Sequence, residues 1–306
     1  FPNDFPTIKN SYDGNKPLFG EGGNSAKNKQ AHQDTITSFG KNPVVFIHGN
    51  GGHYSSWTKK EGRAGVPFKT LLLQKGYPQE AIWAFSYQGQ DPNNPNIGKP
   101  NNPRPARDSI KEIREFIDAV LAYTGASKVD LIGHSLGCHM ARGYALGLTK
   151  DAPYFEPSLR RLNKIGSMIL ISGANYGMGT FWGAESDWQS DGDLFTNTVD
   201  NNFTKFDGGV EVAPGTIHYY AIYAQYDFPQ TMYALFGQGH PENPTNTSRL
   251  GTGLNFFEVP GDYNSIFDYS AENNGASSYL TTTHVYLVRD AKIFEEHIYP
   301  NLNKNN

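Results

Sequence analysis

The chain has 306 residues, 26 basic against 30 acidic, for a formal net charge of −4, and only 18% of its residues are charged. No basic run or stripe is present, so nucleic acid is not an expected partner. No apolar run approaches the roughly 18 residues of a membrane helix, which predicts a soluble chain without a membrane span. Residues 1–42, rich in Gly, Asn, Lys and Pro, read as an irregular arm with room for one short strand. Residues 43–47 form a short apolar run ended by His48-Gly49-Asn50-Gly51-Gly52, a buried strand running into a loop. Residues 68–76 read as a helix, 81–86 as the next strand, and 91–105, crowded with Pro and Asn, as a loop. Over 107–123, Ile110, Ile113, Ile117, Val120 and Leu121 recur at helical spacing and lay one apolar stripe along a helix that Gly125 ends.

A strand at 129–132 leads to a helix at 138–148, and 165–171, 219–224 and 254–259 are further buried strands before a closing helix at 290–298. Strands alternating with helices predict a mainly parallel sheet with helices on both faces. Residues 175–216 fit neither period and hold Phe181, Trp182, Trp188, Phe195, Phe203 and Phe206, as a lid-like insertion or substrate wall would. The expected organisation is one domain over 1–306, carrying the arm and this insertion. The chain begins at Phe1, and its neutral polar composition gives the expectation of an extracellular protein whose secretory signal has been removed. The single cysteine, Cys138, allows no internal disulfide and reads as a buried, inert thiol.

Gly133-His134-Ser135-Leu136-Gly137 matches G-x-S-x-G between a strand and a helix, the context of a nucleophile elbow in an α/β-hydrolase fold. The bland alternative, a surface serine in an ordinary turn, does not require both glycines. A serine hydroxyl needs a base, and in this fold acid and histidine follow the serine in chain order. His284, between the last strand and the last helix, is the expected base, with His240 as its rival. His218 opens a strand and His297 lies inside the closing helix. Asp227, just past the strand at 219–224, is the expected acid, with Asp262 and Asp268 as rivals. The oxyanion donors are expected at the amides of Leu136 and Asn50. His48 is expected to brace its loop, while His134 and His139 flank the serine but are turned away from it. Asp187, Asp191, Asp193, Asp200 and Asp207 lack the spacing of a calcium loop, and no group has zinc spacing, so no metal or other cofactor is expected.

These motifs occur in matching order, over residues 43–299, in the small bacterial lipases and, more closely, in the lipase-like extracellular polyhydroxybutyrate depolymerases, which this sequence resembles. The resemblance implies a secreted single-domain serine esterase without a separate polymer-binding domain, gripping polyester through exposed aromatics. Its nucleophile, acid, base and oxyanion donors fall on Ser135, Asp227, His284, and Asn50 with Leu136. Tyr176, Phe181, Trp182, Tyr226 and Phe228 are the expected substrate-binding aromatics, near the carboxyl edge of the sheet, where an apolar patch suits adsorption to an insoluble substrate. The expected function is that of a monomeric poly(3-hydroxybutyrate) depolymerase. A triacylglycerol lipase or carboxylesterase, an amidase or peptidase, and an inactive hydrolase fold used for binding are the competing readings.

Overall fold

The computed structural model describes residues 1–10, 14–49, 52–59, 65–87, 106–151, 156–173, 217–224, 255–259, 284 and 286–304. Among the described residues, strands β1 (Phe19–Gly22), β2 (Val44–Ile47), β3 (Ile82–Ser86), β4 (Val129–His134), β5 (Ile165–Ile171), β6 (His218–Ala224) and β7 (Asn255–Val259) form one sheet in the order β1-β3-β2-β4-β5-β6-β7. β2 to β7 run parallel, and β1 pairs antiparallel with β3 at the edge. This is the α/β-hydrolase fold. β2, β3, β4 and β5 are buried at every position, as strands covered on both faces must be.

Their alternation decides which helices each strand meets. Val45, Ile47, Phe85, Leu131 and Leu170 face the apolar stripe of α4 (Ile110–Thr124) and the buried α5 (Leu136–Leu146). Val44, Phe46, Ala84, Ile132 and Ile169 face the other way, onto α3 (Phe68–Gln74) and the closing segment. That segment, α6, opens at Ala291–Ile293 behind the Asp290 cap and continues as a π-helical turn over Phe294–Ile298. A four-residue helix, α2 (Ser55–Thr58), follows the loop after β2.

The arm over 1–42 carries the one short strand it had room for, β1, but is corrected in its irregularity: Lys29–Phe39 form an 11-residue helix, α1. Only His32 and Ile36 of α1 are buried, so it shows almost no apolar stripe. Its ends carry the signal instead: the Asn28 side chain accepts the Ala31 N–H at 3.0 Å, and Gly40 closes the helix at φ 68°. α5 also begins at Leu136, earlier than the apolar pattern suggests, because the helix starts directly at the elbow.

At the amino end of the sheet, Asp130 is fully buried and accepts from Asn42 Nδ2, Ser167 N and Asn303 N at 2.8, 2.9 and 2.8 Å. These bonds tie the end of the described chain to the centre of the sheet. The insertion expected at 175–216 and the loop at 91–105 lie outside the described residues.

Candidate active site

β2 and β4 are parallel neighbours with Ile47 opposite Gly133, so the loops that follow them emerge side by side at the carboxyl edge. Ser135 sits there at φ 52°, ψ −122°, a backbone that a residue with a Cβ adopts only when its surroundings impose it. Two hydrogen bonds and the close packing of the flanking glycines hold it there. The Ser135 N–H donates to Ile171 O at 2.9 Å, and the Cys138 N–H donates back to Ser135 O at 3.0 Å. Gly133 lies so close to α5 that a Cβ there would stand 2.8 Å from Gly137 O, and a Cβ on Gly137 would stand 2.2 Å from Ile47 O. Both glycines of the motif are therefore required by backbone packing. Leu136 opens α5, whose first N–H groups have no acceptor inside the helix and stand at its positive end.

The β2 loop closes in from the other side: a Cβ on Gly49 would lie 2.9 Å from the Ser135 Cβ and 3.1 Å from His134 Nδ1. His48 holds this loop. Its Nδ1–H donates to Gly49 O at 2.7 Å, its ring stacks on Tyr87 with centroids 4.1 Å apart, and Tyr87 Oη donates to His48 O at 2.7 Å. Burial pushes the His48 imidazolium down to about 3, so the ring is neutral and braces the loop without titrating near neutrality. Burial, then the Arg142 charge, likewise push His139 well down, and burial pushes the Cys138 thiol up. His48, His139 and Cys138 thus stay uncharged.

His284 reaches this edge from the far end of the chain and is 8% exposed. Its main-chain oxygen accepts from His134 Nε2 at 2.8 Å, and the two rings stand 4.6 Å apart. Downstream, Leu287 and Val288 enter the core, and buried Arg289 donates from Nη2 to Ser56 O and Lys59 O at 3.1 and 2.9 Å. Arg289 O in turn accepts the Val66 N–H at 2.8 Å. The stretch following His284 is thereby fastened to the stretch following the β2 loop. Neither His134 nor Arg289 stood out as part of the site in the sequence. A charged residue between Leu287-Val288 and the capping Asp290 was the available signal for Arg289.

The structure therefore brings Ser135, Leu136, Gly49 and His284 to one edge. Two other histidines are engaged elsewhere: His218 Nε2 with Asn301 Oδ1 and His297 Nδ1 with Tyr220 Oη, each at 3.1 Å. β6 ends at Ala224 on the same carboxyl edge as Ser135. Asn50, Asp227, Tyr176, Phe181, Trp182, Tyr226 and Phe228 lie outside the described residues, as do His240, Asp262 and Asp268. Among the described residues, no group of three His, Cys, Asp or Glu side chains could hold a metal ion, and no helix is long and apolar enough to cross a membrane.

The family model for lipase (class 2) matches residues 41–194, just over half of the chain. Among solved structures, a Bacillus licheniformis lipase in its mature form superposes with a TM-score of 0.50 at 13% identity, covering 86% of this chain and 92% of that one. A lipase-esterase related protein from Clostridium acetobutylicum matches at 15% identity and TM-score 0.46, covering 93% of this chain and 99% of that one. A soluble variant of the Saccharomyces cerevisiae monoglyceride lipase matches at 11% identity and TM-score 0.45, over 78% and 88% of the two chains.

Proposed function

The chain belongs to the lipase (class 2) family and is a carboxylic-ester hydrolase, and from that premise we propose that it is a secreted serine esterase of water-insoluble esters, foremost poly(3-hydroxybutyrate). The observation that carries the reading is the strained Ser135 with Gly49 against it and His284 against the ring of its neighbour His134. In this mechanism His284 takes the proton of Ser135 Oγ as the oxygen attacks the ester carbonyl. The negative charge that develops on the carbonyl oxygen is met by the amides of Leu136 and Asn50. Collapse breaks the ester bond, His284 returns the proton to the leaving alcohol, and water then cleaves the acyl-serine by the same steps. Asp227 fills the role of the carboxylate that orients the imidazole.

The polyester reading rests on the sequence resemblance and on the aromatics of residues 175–236. The class 2 lipase match favours a second reading at least equally, hydrolysis of acylglycerols. Clearing of a poly(3-hydroxybutyrate) granule suspension, run beside tributyrin hydrolysis, separates the two. Clearing at a rate comparable to tributyrin turnover supports the polyester. Tributyrin hydrolysis without clearing assigns the acylglycerol.

A further inference from the structure

We infer that His134, the residue immediately before the nucleophile, is a positioning residue that holds the base-bearing segment in place by donating its Nε2–H to the main-chain oxygen of His284. The inference rests on the reading of Ser135 and His284 given above and extends it to a residue that reading leaves without a role.

Three features converge on the His134 ring. First, it is the last residue of β4, paired in register with Ile171 and largely buried, so the sheet sets its backbone and the elbow sets the residue after it. Any bond the ring makes is therefore referenced to Ser135 through one peptide unit. Second, the 2.8 Å contact runs to a carbonyl oxygen, which only accepts, so Nε2 carries the hydrogen. Third, the ring fills the space between the two partners of the serine. The Gly49 loop lies against its Nδ1 side, and His284 stands 4.6 Å from it, centroid to centroid. Trp57 stands edge-on to it at 6.4 Å and 84°, forming a further wall.

A histidine base must stay within hydrogen-bond reach of the serine hydroxyl, and displacement by about 1 Å costs on the order of a hundredfold in rate. The His134 bond acts on this distance. It links the residue next to the nucleophile with the carbonyl of the base across 150 positions of sequence. A residue that only filled space here would be replaceable by an apolar side chain of similar volume. A donor to His284 O would not.

The test uses the near-isosteric pair His134→Met and His134→Gln in the full chain, with nitrophenyl butyrate as substrate, a nitrophenyl phosphonate as label for Ser135, and thermal melting as the structural control. The methionine variant is expected to lose about ten- to a hundredfold in kcat with KM within about twofold, and to be phosphonylated more slowly by a similar factor. The glutamine variant, whose amide can donate to the same oxygen, is expected to recover most of both rates. Equal losses in folded Met and Gln variants, or a methionine variant with kcat within about twofold of wild type, would overturn the inference. Should the methionine variant not fold, the glutamine variant decides: a folded protein with less than about a tenth of wild-type kcat overturns it, and recovery supports it. A wild type inert to both ester and phosphonate overturns the catalytic reading itself, and this inference with it.

Discussion

Ser135 carries a Cβ at φ 52°, ψ −122°, where glycine alone would sit without strain. The partners that hold this conformation are backbone groups, Ile171 O on the Ser135 N–H and the Cys138 N–H on Ser135 O, so the strain cannot relax by side-chain motion. Ser135→Ala should remove nearly all ester hydrolysis and all labelling by an organophosphate, while circular dichroism stays that of the wild type. Hydrolysis at wild-type rate by this variant would exclude Ser135 as nucleophile. Ser135→Gly, which is equally without a hydroxyl, should be more stable than Ser135→Ala by about 1 kcal/mol, because relief of the positive-φ strain outweighs the entropy of glycine. Urea unfolding of the two variants measures the difference, and the reverse order would mean that the elbow is unstrained.

Among the elements, α1 shows how a helix forms where hydrophobic periodicity is nearly silent. His32, fully buried, donates from Nδ1 to Asn28 O and accepts the Asn24 N–H on Nε2, both at 2.9 Å, and its ring packs edge-on against Tyr123 of α4. The residues before it dock alongside: the rings of Phe1 and Phe5 lie against Trp83 and Phe116, and Tyr123 Oη donates to Asp4. With so little apolar area on the helix itself, its cap matters proportionately more. Asn28→Ala should therefore lower stability by about 1 kcal/mol. A urea midpoint unchanged from wild type would show that tertiary packing alone forms α1.

For the molecule as a whole, buried ionisable groups set opposing pH dependences. Burial holds His48 and His139 below their ordinary value, so the folded protein refuses protons that the unfolded chain takes up below about pH 6.5. Their stabilisation is present above that pH and lost on acidification. Asp130 acts in the opposite sense. Burial raises its carboxyl to about 6 although three N–H donors pull it down, so its contribution is present below the unfolded value of 3.8 and lost as pH rises through 6. Burial also lowers His218 and His297, so between about pH 4 and pH 6 four histidines oppose Asp130, and stability should fall as the solution is acidified. Asp130→Asn removes the opposing contribution, so the urea midpoint of that variant should depend on pH more steeply than that of the wild type. A shallower dependence would mean that Asp130 is ionised in the folded protein throughout this range.

Much of the central sheet, and the elbow within it, were readable along the chain because both are encoded within a few consecutive residues. Val44–Ile47 and Met168–Ile171 are continuous apolar runs, α4 carries one unbroken stripe, and Gly133, on the strand side of Ser135, answers to backbone atoms of Gly137 and Cys138 one turn away. His284 was singled out by chain order and by its place between β7 and α6, and the structure sets it against His134. The antiparallel pairing of β1 with β3 carried no such signal. Neither did the bond from His134 to His284 across 150 positions, nor that from Asn303 to Asp130 across 173. Each of these depends on two distant segments meeting at hydrogen-bond distance. The local propensities of either segment are the same whether or not they meet, so only the packed tertiary structure decides the pairing.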